Sequence, residues 1–102
     1  MARIIWTNAA TEDLVEILAE AAERSQPLAQ RRMAAFEKTL SLLAENPAMG
    51  SRRLTHRPEW RSFPCDRYLI FYRVLAAGDG IDLLRIRPAS SDWLGSLDLA
   101  TP

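Results

Sequence analysis

The chain has 102 residues, no formal net charge, 48% hydrophobic and 25% charged residues. That is the balance of one globular domain with a modest core, so residues 1–102 are read as a single domain with 90–102 as its tail. It excludes a strongly basic nucleic-acid binder, because no overall field drives the protein onto phosphate. No apolar run is long enough for a membrane span and no signal peptide is recognised, which sets the expectation of a cytoplasmic protein with no membrane partner. The single cysteine, Cys65, cannot form an internal disulfide and reads as a small buried or half-buried hydrophobe. One histidine and one cysteine make no recognisable zinc site, and no metal or cofactor is expected.

Taken in chain order, Arg3-Ile4-Ile5-Trp6-Thr7 is short, β-branched and aromatic, and predicts a strand. Asn8 is a candidate cap for a helix over about 9–24, with Glu12 and Asp13 placed against the dipole of its first turn. Ala10, Leu14, Ile17, Leu18, Ala21 and Ala22 fall on one face of that helix. Ser25-Gln26-Pro27 breaks the pattern and starts a second helix, on which Ala29, Met33, Phe36, Leu40 and Leu43 form an amphipathic stripe. Pro47 ends it at Asn46. A link of two or three residues predicts an antiparallel hairpin. Residues 47–59 read as a long loop, of the kind that often meets a partner. Then come a short strand, 59–63, ended by Pro64; the strongest strand, 66–75; a turn at Ala77-Gly78-Asp79-Gly80; and a return strand, 81–87, ended by Pro88. The order β-α-α-β-β-β predicts an α+β fold, a helical hairpin packed on one face of a small antiparallel sheet.

Helices cover one side of such a sheet, and strand alternation divides the residues between its sides. Ile70, Tyr72, Val74, Leu84 and Ile86 are assigned to the helices. The uncovered side would carry Arg61, Arg67, Arg73, Arg85 and Arg87 interleaved with Phe63, Leu69 and Phe71. A slip of one residue in the last hairpin would exchange its two faces. Three readings of that face stand side by side: a solvated surface partly covered by the tail, an anion or RNA site, or the seat of a partner peptide with apolar and acidic residues. Trp93 either folds over this face or packs on a partner. No paired-carboxylate signature, Gly-rich phosphate loop or nucleophile elbow is present. His56 stands in the loop beside Arg52, Arg53 and Arg57 and reads as exposed rather than catalytic, and Tyr68, Tyr72, Trp6 and Trp60 read as packing residues.

Several segments resemble the RelE/ParE toxin superfamily, the plasmid-stabilisation proteins. Trp6, Ala9, Ala10 and Asp13-Leu14 are similar to its opening, and Leu40, Leu43, Asn46-Pro47 and Gly50 to its second-helix end. Tyr68-Leu69-Ile70-Phe71-Tyr72-Arg73 and Leu84-Arg85-Ile86 resemble its last strands, so that the similarity spans about residues 3–92. The resemblance is closer to the ParE-like branch. It implies the toxin of a type II toxin–antitoxin system, acting by binding, associated with DNA gyrase, and neutralised by a ParD-like antitoxin through which alone it meets DNA. Arg61, Phe63, Arg67, Leu69, Phe71, Arg73, Arg85, Arg87 and Trp93 are then the candidate contacts for antitoxin or target. The RelE-like branch cleaves messenger RNA, and this sequence departs from it: Leu69 stands where an arginine is expected, Pro88 and Ser91 replace a late histidine and arginine, and no tyrosine follows Tyr72. Cleavage needs a base, an acid and a cation, and only the cation is plainly available. The alternatives are a RelE-like nuclease using Arg61, Arg73, Arg85 or Arg87, and a non-toxic remnant that still binds an antitoxin.

Overall fold

The computed structural model describes residues 2–52, 54 and 56–89. Strand β1 (Arg3–Trp6) leads into α1 (Asn8–Arg24), α2 (Gln26–Glu45) and a 3-10 turn (Pro47–Met49), followed by β2 (Trp60–Cys65), β3 (Tyr68–Val74) and β4 (Gly80–Pro88). The strands form one sheet in the order β1-β4-β3-β2, with the two helices on one face. The sheet is mixed rather than purely antiparallel: β2, β3 and β4 form an antiparallel meander, while β1 joins β4 in parallel. The hairpin between β1 and the meander returns the chain to the far side of the sheet, and its length permits the parallel pairing.

Local chemistry explains the boundaries. Thr7, not Asn8, caps α1: its hydroxyl accepts from Ala10 N at 3.1 Å. With the helix starting at Asn8, Glu12 and Asp13 lie beyond its first turn. Ser25 serves both helices, its N–H closing α1 on Ala21 O at 2.9 Å and its hydroxyl accepting from Leu28 N at 3.1 Å, so the link is one residue long. Strand β2 runs through Pro64 to Cys65. Pro64 is tolerated because β2 is an edge strand and the missing N–H would point outward. Between β2 and β3, Asp66 takes φ 57°, a left-handed conformation that aspartate adopts more readily than most residues. Gly80 opens β4 where a Cβ would collide with the backbone of Arg3, so the absent side chain is what lets β1 approach.

The main core lies between helices and sheet. Phe36, Leu40 and Leu43 of α2 and Ala10 and Ile17 of α1 pack against Ile70, Tyr72, Ile81, Leu83 and Ile86. Phe36 and Tyr68 rings meet at 5.8 Å. The Tyr72 hydroxyl, fully buried, donates to Pro47 O at 2.7 Å and accepts from Gly50 N at 2.8 Å, tying the end of α2 to the middle of the sheet. Burial pushes the phenol pKa up. Cys65 is buried as well, within reach of the Thr39 hydroxyl at 3.4 Å, and burial raises its thiol pKa. On α2, Arg32 is buried with its guanidinium over the Tyr68 ring and donating to the Tyr68 hydroxyl at 3.3 Å.

The register of the last hairpin corrects one assignment. A bulge between Phe71 and Tyr72 sets Phe71 opposite Arg85 and Tyr72 opposite Leu83, which leaves Leu84 as the extra residue. Ile81 and Leu83 therefore face the helices, Ile86 does so too after the bulge, and Leu84 belongs to the opposite face.

Candidate partner-binding surface

The face of the sheet away from the helices is not an open cationic hollow. Leu69, Phe71, Trp60 and Leu84 pack there with Leu54, which comes from the segment between α2 and β2. The Trp60 and Phe71 rings lie 6.4 Å apart, and the Arg57 guanidinium stacks 5.3 Å above Trp60. This second, smaller core buries Phe71 completely and Leu69 almost so. Large apolar side chains on an uncovered sheet face would cost solvation, and the chain's own loop removes most of that cost.

The candidate residues are scattered by this arrangement. Leu69, Phe71, Arg73 and Arg87 share the face away from the helices, as alternation and the pairing of Leu69 with Arg87 require. Arg61 and Phe63 do not. They pair with Tyr72 and Ile70, so they stand on the helix side. Phe63 packs on the main core, and Arg61 donates to Gly50 O at 2.7 Å and Ala48 O at 3.3 Å. The even-numbered Trp60 and Ser62 take the positions that Arg61 and Phe63 were expected to fill. Arg67 is exposed in the β2–β3 turn. Trp93 lies outside the described residues.

Most of these guanidinium groups are already engaged. Arg85 reaches back to α1 and grips Asp13 with two bonds, Nε to Oδ2 at 2.8 Å and Nη2 to Oδ1 at 3.1 Å. The same Oδ2 accepts from Ile86 N at 3.0 Å. Hydrogen bonding to Asp13 holds the Arg85 pKa above its usual value. Arg73 donates to Asp82 at 3.2 Å on an exposed part of the sheet. Arg87 is half-buried, and its Nε finds no hydrogen-bond partner among the described residues.

Asp13 is the residue whose role sequence reasoning misplaced. It reads as a helix-dipole acid, yet it is buried and closes the edge of β4 where β1 stops. The signal was its position three residues after Ala10 on the buried face of α1. Leu54 was missed because a single leucine between polar residues carries no periodicity. Beside Asp13, Glu16, Ile17, Glu20, Tyr68, Ile86, Arg87 and Pro88 line a cleft of about 160 Å³ between α1 and the end of β4. His56 is exposed, in the turn before β2.

A helical hairpin on one face of a four-stranded mixed sheet is a fold shared with a solved toxin–antitoxin structure. One chain of a solved structure described as the chromosomal ParDE TA system from P. aeruginosa superposes with a TM-score of 0.71, covering 88% of this chain and 98% of that one at 22% identity. At that identity the likeness concerns the fold. The family model for the ParE toxin of the type II toxin–antitoxin system parDE matches residues 4–93, and the chain belongs to that family. No curated protein matches the sequence significantly.

Proposed function

We propose that this ParE-family toxin acts by binding a protein target, DNA gyrase by the resemblance described above, and is held inactive by a cognate ParD-like antitoxin. It meets DNA only through that antitoxin. The observation that carries the reading is the commitment of two guanidinium groups a nuclease would aim at phosphate: Arg85 is spent on Asp13 and Arg61 on the carbonyls of the α2–β2 connection. A cation already paired in the ground state is not free to stabilise charge developing on a scissile phosphate. Arg67, Arg73 and Arg87 keep exposed or half-exposed side chains and remain the proposed polar contacts for antitoxin or target. Leu69 and Phe71 act from beneath, by holding the covering loop.

The purified protein is tested in a gyrase supercoiling assay beside a ribosome-dependent cleavage assay. Inhibited supercoiling with intact messenger supports the proposal, and addition of the antitoxin restores supercoiling. Cleaved messenger with unaffected gyrase contradicts it.

A further inference from the structure

Strand β1 and helix α1 form an arm that joins the rest of the chain through a single link residue, Ser25. The arm is held by bonds between residues far apart in sequence. Arg3 N donates to Asp79 O at 2.9 Å, the Thr7 hydroxyl donates to Leu83 O at 2.9 Å, and Asp13 takes Arg85 and the N–H of Ile86. Ile17 of α1 and Ile86 of β4 belong to the same core. None of these contacts requires both partners to lie in one chain. A second copy of the protein would supply the same groups in the same geometry if the link opened.

The link is close to helical already. Ser25 stands in both ladders: its N–H donates to Ala21 O at 2.9 Å and its carbonyl accepts from Ala29 N at 3.2 Å, each at helical spacing. A continuous helix would add only the bonds from Gln26 N to Ala22 O and from Leu28 N to Arg24 O. In the hairpin the Leu28 N–H is taken by the Ser25 hydroxyl at 3.1 Å, with Ser25 extended at φ −168°. The sequence has no glycine before Gly50, and no residue at the end of α1 takes the left-handed conformation that commonly stops a helix. Leu18 to Arg24 and Leu28 to Phe36 consist largely of alanine, leucine, glutamate, arginine and glutamine, all good helix formers. Pro27 is the exception. In a continuous helix it has no N–H for Glu23 O, and its ring collides with that carbonyl. In the hairpin it lies in the first turn of α2, where the missing N–H has no partner to lose.

We infer that Pro27 holds the hairpin closed, and that without it two copies of this chain exchange their β1–α1 arms. In the exchanged pair α1 and α2 run on as one helix from Asn8 to Glu45, and α1 of each copy lies on α2 and β4 of the other. The contacts within each half are the same as in the single chain. The balance therefore rests on the link and on concentration, and short hinges are a common site of such exchange. Straightening the link meets the Pro27 ring twice, once in each copy. The unaltered protein is then a monomer, with Asp13 gripping Arg85 of its own sheet.

The test is size-exclusion chromatography with light scattering after refolding at high protein concentration. The unaltered protein is expected to elute as a monomer, and Pro27→Ala as a dimer whose dissociation constant is lower by about a hundredfold or more. Exchange is recognised in Pro27→Ala refolded from equal parts of isotope-labelled and unlabelled chain. Nuclear Overhauser contacts between Ile17 and Ile86, which line the same cleft, then cross from labelled to unlabelled chains. Three glycines inserted after Ser25 in Pro27→Ala give the link room to turn and are expected to restore the monomer. A Pro27→Ala protein that stays monomeric overturns the inference, as does a dimer whose Ile17–Ile86 contacts stay within one chain. Exchanged arms in the unaltered protein overturn the role given to Pro27. Should Pro27→Ala not fold, Pro27→Ser restores the same N–H and decides.

Discussion

The two faces of the sheet are covered by different means. On one, a helical hairpin buries a continuous core from Ala10 to Ile86. On the other, one stretch of loop lays Leu54 and Arg57 over Trp60, Leu69, Phe71 and Leu84. The helix-covered face is held by two elements that also carry their own hydrogen bonds. The loop-covered face depends on a few side chains and on the bonds of Ser51 and Arg57 to β2. The comparison teaches that global stability resides in the first face, while the second can be altered with the fold intact, which is the property a binding surface needs.

The strongest way to break that comparison is to cut into the helix-covered core. Phe36→Ala is expected to cost about 3–5 kcal/mol in chemical denaturation, enough to threaten folding of a small domain. Asp13→Ala comes next. It strands Arg85 and the N–H of Ile86 together, in a pair whose side chains are 18% and 9% exposed, and is expected to cost about 3 kcal/mol. Asp13→Asn, which keeps one acceptor, recovers part of the loss. Leu54→Ala strikes the loop-covered face and is expected to cost about 2 kcal/mol, with Trp60 fluorescence shifting to the red while the far-ultraviolet signal stays native. An equal cost for Leu54→Ala and Phe36→Ala would erase the distinction between the faces.

The smallest effects are electrostatic. Arg73→Ala removes an exposed pair and is expected to change stability by less than about 0.5 kcal/mol. The alkaline response sharpens the picture of the main core. Cys65 and Tyr72 both have pKa values raised above their ordinary 9.0 and 10.0, chiefly by burial. In that range the unfolded chain loses protons that the folded chain keeps, so stability is full below about pH 9 and falls as pH rises. Cys65→Ala is expected to flatten the first part of that fall, read as denaturation midpoints between pH 7 and 10.

The sequence carried the helices and the strong third strand plainly. Phe36, Leu40 and Leu43 repeat at helical spacing, Pro47 stops the helix, and Tyr68 to Val74 has the alternation of a strand. Three things were not legible. The parallel pairing of β1 with β4 joins residues nearly eighty apart, with no local pattern to announce it. The bulge at Leu84 shifts the alternation so that Ile81, Leu83 and Ile86 all face the helices, and Leu83-Leu84 gives no sign of which one turns inward. The register of β2 puts Trp60 and Ser62 rather than Arg61 and Phe63 on Phe71's face, and alternation groups residues by face without saying which face meets the helices. The last two errors moved side chains from one face to the other. The candidate surface suffered more than the fold, since a face assignment depends on single-residue register and a fold class does not.

The direct test of the central claim is induction of the protein in a growing bacterium, followed by inspection of transcript integrity. Growth arrest with full-length messenger RNA is the predicted result for a toxin that binds rather than cuts, and an Arg73→Ala, Arg87→Ala variant that still folds is expected to arrest growth less while its transcripts stay intact as well. Prompt fragmentation of transcripts, abolished in that same variant, would contradict it.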